Sequence, residues 1–197
     1  MSCAGIDVGG RRKGFDYVVV DGRRVVSGPQ NLKTSREVLE SLKRHRPTVI
    51  GVDSPCTCAL DGDRSRAGER DLAREVCGIR WTPDLSRLDG NPYYEWVING
   101  LELYRTLEAE SVAQGWTVIE VFPTASWTRW SGARGKRPRS VWTQDALGAF
   151  ALNDLPARRL NQDARDAIAA ALTAQLYARG EYEAFEEIVV PRARSRS

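Results

Sequence analysis

Ala4-Gly5-Ile6-Asp7-Val8-Gly9-Gly10, followed by Arg11-Arg12-Lys13-Gly14, is the stretch on which the reading of this chain turns. A short apolar strand delivers a carboxylate, two glycines turn the chain, and cations follow. An acid at the end of a central strand packs poorly, but it serves well as a metal ligand or beside a phosphate. The fold is read outward by asking which other acids the chain brings to Asp7.

Phe15 to Val20 is rich in strand formers, and Asp21-Gly22 signals a two-residue hairpin into Arg23 to Ser27. Residues 3–28 therefore read as a three-strand antiparallel meander. Thr34-Ser35-Arg36-Glu37 is a capping box, Val38, Leu39 and Leu42 give the next helix one apolar face, and Pro47 stops it. Thr48-Val49-Ile50-Gly51-Val52-Asp53 is then an almost continuous apolar run ending in an acid. That is the pattern of a strand buried on both faces and parallel to its neighbour. Asp53-Ser54-Pro55 repeats the arrangement at Asp7-Val8-Gly9. If the strands are parallel neighbours, both carboxylates emerge at one sheet edge, where open α/β sheets place ligands. Taken singly, each Asp reads equally well as a turn starter bonded to its own backbone.

Residues 59–92 are less regular, with loops around Asp61-Gly62-Asp63 and from Thr82 to Pro92 and a short helix from Glu69 to Val76. A segment of this kind covers a functional site or is a solvated insertion. Tyr94 to Val112 has helical apolar spacing, with Gly115 just beyond its end. Thr117 to Pro123 is the next strand, and it carries Glu120 between Ile119 and Val121. Simple alternation turns Glu120 to solvent, while its place near the strand end also lets it face Asp7 and Asp53.

Residues 124–142, expected as a basic insertion, interleave Arg129, Arg134, Lys136, Arg137 and Arg139 with Trp127, Trp130 and Trp142. Cations hold phosphates and indoles stack on bases, so the composition suits a nucleic-acid groove. It equally suits a surface loop whose tryptophans tuck into a core. Gly132 to Arg137 is not a P-loop, because too few residues separate its glycines and Arg137 stands where Ser or Thr should follow the lysine. Asn161 caps a last helix that Gly180 stops, and Asp163 and Asp166 share one face of its first turns. Two acids near a helix N-terminus are also favoured by its dipole alone. Alanines at 167, 169, 170 and 171 imply that this helix packs closely on something.

At 197 residues, 42% hydrophobic and 28% charged, the chain fits one globular domain. That domain is expected over residues 1–190, with insertions near 59–92 and 124–142 and a disordered basic tail over 191–197. The net charge of +3 permits a polyanionic partner without arguing for one. Cys3, Cys56, Cys58 and Cys77, with His45 as the single histidine, match no zinc spacing and read as reduced thiols. With no leader and no apolar run approaching the roughly 20 residues of a membrane span, a cytoplasmic protein without membrane contact is expected.

Acids at the ends of two buried strands, two more on the alanine-rich helix and Glu120 are therefore candidates for one site. A carboxylate cluster remains anionic only beside a cation. Hard oxygens without histidine or thiolate favour Mg²⁺ or Mn²⁺. Two such ions, roughly 4 Å apart, activate a water and stabilise the leaving oxygen of a phosphodiester.

The order of elements, a three-strand meander, a helix, an acidic strand and a late helix opening Asp-x-x-Asp-Ala, resembles the ribonuclease H-like fold, especially its Holliday-junction-resolvase-like branch. More narrowly, Gly5-Ile6-Asp7, Gly51-Val52-Asp53-Ser54-Pro55, Glu120-Val121-Phe122-Pro123 and Asp163-Ala164-Arg165-Asp166-Ala167 resemble motifs of the DUF429 family of predicted nucleases. The resemblance implies an α/β fold with a mixed sheet flanked by helices, and hydrolysis of DNA or RNA. It implies metal ligation by Asp7, Asp53 and Asp166, with Asp163 or Glu120 completing the catalytic set. Arg11, Arg12, Lys13, Arg129, Trp130, Arg134, Lys136 and Arg137 are the candidate nucleic-acid contacts. Two other readings stand beside this one. Sugar kinases and actin-like ATPases share the sheet, and Asp7 to Gly10 would then wrap a nucleotide phosphate. A catalytically silent nucleic-acid-binding module of the same fold is the third.

Overall fold

Strand β1 (Ser2–Val8), which carries Asp7, lies inside a mixed sheet in the computed structural model, which describes residues 1–193. It pairs antiparallel with β2 (Phe15–Asp21), and β2 with β3 (Arg24–Leu32), which completes the expected meander. On its other side β1 pairs in parallel with β4 (Val49–Asp53), and β4 with β5 (Thr117–Val121). The hairpin of β6 (Tyr182–Phe185) and β7 (Ile188–Pro191) joins through β7, parallel to β5. Among the described residues the sheet has seven strands, in the order β3-β2-β1-β4-β5-β7-β6. Pro191 ends β7, and Arg192 donates its backbone N–H to the Glu181 carbonyl at 3.2 Å, so the start of the expected tail is tied to the hairpin. Residues 194–197 of that tail lie outside the described residues.

The β2–β3 turn falls one residue later than expected. Asp21 stays in the ladder opposite Arg24, its carboxylate accepting from the terminal ammonium at 2.6 Å, and Gly22 takes the left-handed position at φ 58°. Strand β3 then runs beyond residue 28, because register shifts around Tyr17 and Val19 let the ladder resume with Tyr17 opposite Gln30.

Helix α1 (Ser35–His45) has the capping box, with Thr34 Oγ1 accepting from the Glu37 N–H at 3.2 Å, and it stops at Arg46. Helices α2 (Ala67–Glu75) and α3 (Leu85–Leu88) lie in the irregular segment, so part of the expected loop after Thr82 is helical. Helix α4 (Glu95–Gln114) ends at Gly115 as the spacing predicts. The expected insertion over 124–142 is mostly helix as well, in α5 (Pro123–Ser131) and α6 (Arg139–Gly148). Its tryptophans explain this: Trp127 and Trp142 are buried and need helical segments to present them to the core. Helix α7 (Gln162–Ala178) is the alanine-rich element. No helix among the described residues is long and apolar enough to cross a membrane.

Period-two alternation sorts the sheet into two faces. Ala4, Ile6, Val8, Phe15, Tyr17, Val19, Ile50 and Val52 pack with α1 and α4, against Val38, Leu42, Leu103 and Leu107. Val18 and Val20 turn the other way, towards α5, α6 and α7. Cys3, Val49, Ile119 and Val121 share that second face with Ala170 and Ala174. Helix α7 lies directly on the backbone there. A Cβ on Gly5 would overlap the backbone of Ala167 and Ala171, and one on Gly51 would meet the Ala170 carbonyl oxygen at 2.5 Å.

Gly5→Ala and Gly51→Ala should therefore each destabilise the protein by about 1–3 kcal/mol in urea titrations, the range for forcing a methyl into a closed core. Gly148→Ala, on a helix end with open space around it, should be neutral or stabilising.

Candidate active site

Strand register decides which acids meet. Asp7 lies opposite Asp53 in the parallel pair β1–β4 and opposite Asp16 in the antiparallel pair β1–β2, all on the face covered by α7. From α7 come Asp163 and Asp166, on a helix start capped by Asn161 Oδ1 accepting from the Ala164 N–H at 2.9 Å. Oxygens of Asp7, Asp16 and Asp163 lie within 4.8 Å of one another. The reading from sequence passes over Asp16. Its signal is the alternation of Phe15, Tyr17 and Val19, which turns residue 16 to the face shared with Asp7.

Glu120 does not join this group. Its register partner is Val52, so its side chain leaves the sheet on the α4 face, opposite Asp7 and Asp53. There Arg66 donates to both of its oxygens, Nη1 at 2.7 Å and Nη2 at 2.5 Å, and the Cys56 N–H adds a third bond at 2.9 Å. Arg66 also donates to Glu69, which accepts from the backbone N–H of Thr82 as well. Burial works against the Arg66 charge, but the hydrogen bonds and charges of Glu120 and Glu69 outweigh it and push its pKa up. The expectation that Glu120 meets the aspartates is corrected by strand parity: it anchors the irregular segment to β5.

The aspartates open into a cleft of about 620 Å³, also lined by Lys13, Ser54, Arg80, Trp96, Arg139 and Gln162. Asp166 is the most heavily bonded acid. It accepts from Trp127 Nε1 at 2.9 Å, from Arg139 Nη2 at 2.9 Å and from Gln162 Nε2 at 3.0 and 3.1 Å. These bonds occupy about all the lone pairs a carboxylate offers. Asp7 is the opposite case: its Oδ2 is buried and has no hydrogen-bond partner among the described residues. Ser54 Oγ and Trp96 Nε1 are likewise unpartnered on the cleft wall. A buried orphan oxygen beside two further carboxylates is a donor set that fits a hard divalent cation.

Crowding shifts the titrations. Burial, then the charges of Asp166 and Asp163, push Asp7 up to about 7 despite the pull of Lys13. Burial and the charges of Asp7 and Asp166 raise Asp53 well above the ordinary carboxylate range. Asp16 is raised by burial against the pull of its bond from Asn31, and Asp166 by burial against Arg139, Trp127 and Gln162.

The candidate nucleic-acid contacts divide. Arg12, Arg134, Lys136 and Arg137 are exposed, with Arg137 folded back on the carbonyls of Ala133 and Arg134. Arg11 is exposed and paired with Glu102. Three depart from the expectation. Lys13, still half-exposed, is paired with Asp163 at 2.8 Å. Arg129 is taken by Glu183 at 2.5 Å. Trp130 packs edge-on against Trp127 and Phe150, so its ring is committed to the core margin. Arg139, which the sequence places only within a basic stretch, is a second cation that reaches the acids, at Asp166.

Side chains flank the glycine turn at the edge of the cleft. The Lys13 stem lies over Gly9, and the Glu95 carboxylate lies over Gly10. Asn99 Nδ2 holds the turn from α4 by donating to the Gly9 carbonyl at 2.9 Å.

No protein-family model matches the chain, and no curated protein matches its sequence. Among solved structures the chain is similar to a RuvC structure from Thermus thermophilus, with 20% identity and a TM-score of 0.50 over 91% of this chain and 96% of that one. T. thermophilus RuvC in complex with Holliday junction substrate aligns with 21% identity and a TM-score of 0.48, over 91% and 96%. The yeast mitochondrial Holliday junction resolvase Ydc2 aligns with 13% identity and a TM-score of 0.47, over 86% and 75%. The likeness is one of fold: the chain has the ribonuclease H-like mixed sheet flanked by helices.

An acid whose folded-state pKa lies above its unfolded value binds its proton more tightly in the native protein. Its contribution to stability is therefore complete below the unfolded pKa and lost as pH rises through the folded one. For Asp7 that window runs from the ordinary carboxyl value of 3.8 to about 7, and Asp53, Asp16 and Asp166 act in the same direction. The melting temperature of metal-free protein should fall as pH rises across this window. Asp7→Asn should make the fall shallower, and Mn²⁺ should raise the melting temperature more at pH 8 than at pH 5.

Proposed function

We propose that the chain is a divalent-metal-dependent nuclease that hydrolyses phosphodiester bonds of DNA or RNA in the aspartate-lined cleft. The observation that carries this reading is the convergence of Asp7, Asp16, Asp53 and Asp163 from β1, β2, β4 and α7, with Asp7 Oδ2 buried and unpartnered. The ribonuclease H-like fold is compatible with it.

In this reading Asp7, Asp16 and Asp163 hold Mg²⁺ or Mn²⁺, with Asp53 beside them. Asp166 offers no free acceptor until Arg139 or Gln162 releases it, so it takes part as a ligand only after that exchange. A bound ion supplies Lewis-acid polarisation of a phosphoryl oxygen and a water acidified towards neutrality. The chain's own cations do the rest. Arg139, pinned to Asp166 yet 44% exposed, offers its remaining N–H groups to a phosphate at the acids, and Arg80 lines the same cleft. Arg134, Lys136 and Arg137 extend the positive surface beyond Arg139 and hold the backbone without reading its sequence.

The test is a panel of single-stranded, duplex and branched DNA and of RNA, incubated with Mn²⁺ or Mg²⁺. Wild type should cleave at least one substrate and chelator should abolish cleavage. Asp7→Asn should lose more than the roughly 10–100-fold that removal of an outer-shell partner costs. Equal cleavage by wild type and Asp7→Asn would overturn the reading. Separately, joint replacement of Arg134, Lys136 and Arg137 by Ala should weaken binding and reduce the slope of log affinity against log salt by up to about 3. Trp130→Ala should lower thermal stability and leave that slope unchanged.

A further inference from the structure

Lys13 is a cation that the cleft already contains. Its Nζ lies 2.8 Å from Asp163 Oδ1 and 3.8 Å from Asp7 Oδ2. Both acids belong to the group whose oxygens gather within 4.8 Å, and Asp7 Oδ2 is the buried oxygen without a hydrogen bond. The lysine is also guided there. Its Cβ, Cγ and Cδ lie 2.5–2.7 Å from where a Cβ on Gly9 would stand, so only glycine at that position lets the stem cross the backbone. The turn beneath is closed by the Lys13 and Gly14 N–H groups donating to the Gly10 carbonyl, each at 2.9 Å, and by Gly9 N–H to the Gly14 carbonyl at 2.8 Å. Arg139 has no such position, because its partner is Asp166.

We propose that the Lys13 ammonium competes with a divalent cation for Asp163 and Asp7, so that a metal ion binds at the acid group only by displacing it. This rests on the metal-dependent reading given above. An ammonium is a compact charge on a flexible stem with three donors; here it bonds Asp163 Oδ1 and faces the unpartnered Asp7 Oδ2, two oxygens that a hard cation would also draw on. The two ligands exclude one another, so Lys13 weakens metal binding and metal binding frees Lys13. A freed ammonium at the mouth of the acid cluster is then available to a substrate phosphate.

Calorimetry with Mn²⁺ on the full chain tests this. Lys13→Met keeps the stem over Gly9 and removes the charge, and it should bind Mn²⁺ about tenfold more tightly, the scale of one charge-assisted hydrogen bond. Arg12→Gln, in the same turn and exposed, should change affinity less than about twofold, the long-range effect of one solvated charge. In wild type, saturating Mg²⁺ should increase labelling of Lys13 by an amine reagent, read by mass spectrometry, so the test does not depend on the variant folding. Unchanged or weaker Mn²⁺ affinity in Lys13→Met, an equal gain in Arg12→Gln, or Lys13 labelling indifferent to Mg²⁺ overturns the inference while leaving the nuclease reading in place. Absence of Mn²⁺ binding in every form overturns both.

Discussion

The contact of helix α7 with the bare backbone of β1 and β4 is the constraint on which the rest depends. Gly5 and Gly51 remove the side chains that would otherwise hold the helix off, and Ala167, Ala170 and Ala171 remove those of the helix. Two elements that approach this closely have little freedom to slide. The register that seats these small residues also sets how far the first turns of α7 reach beyond the strand ends. Asp163 and Asp166 arrive over Asp7 and Asp53 because the alanines one to eight residues later are fixed.

Gathering acids in this way creates an electrostatic cost that the fold meets unevenly. Asp166 is fully answered by an indole, an amide and a guanidinium. Asp163 takes a lysine, Asp16 takes the Asn31 amide, and Asp7 retains an oxygen with nothing to accept. Were the cluster a structural device, every oxygen would be expected to find a donor, since an orphan in a buried setting is expensive. The remaining deficit is one that a cation would answer.

Much of this was legible from residue order. The Asp7 and Asp53 strands, their parallel pairing and the alanine-rich helix follow from apolar runs, a capping box and small-residue spacing, all of which are local signals. What failed depended on facts that local patterns do not carry. Glu120 looks like a companion of Asp53 until strand register shows that it shares parity with Val52. Asp16 looks like the start of an ordinary strand until the β1–β2 pairing places it opposite Asp7. Trp130 and Arg129 have the composition of a nucleic-acid groove, but Phe150 and Glu183, distant in sequence, claim them. Charge and aromaticity identify residues with a polar or stacking task, and tertiary partners decide whether that task is internal.

The Arg66, Glu69 and Glu120 network has a further consequence for how this chain can vary. All three side chains are almost wholly inaccessible, and each carboxylate answers the same guanidinium. Losing one member strands a charge in a medium that cannot solvate it, whereas exchanging the whole set for well-packed apolar residues is often tolerated. The three positions are therefore mutationally entangled: single steps away from them pass through a poorly folding intermediate, and viable change requires coordinated replacement. The wall of the cleft is thereby frozen in sequence, while the exposed basic segment around Arg134 to Arg137 carries no such constraint.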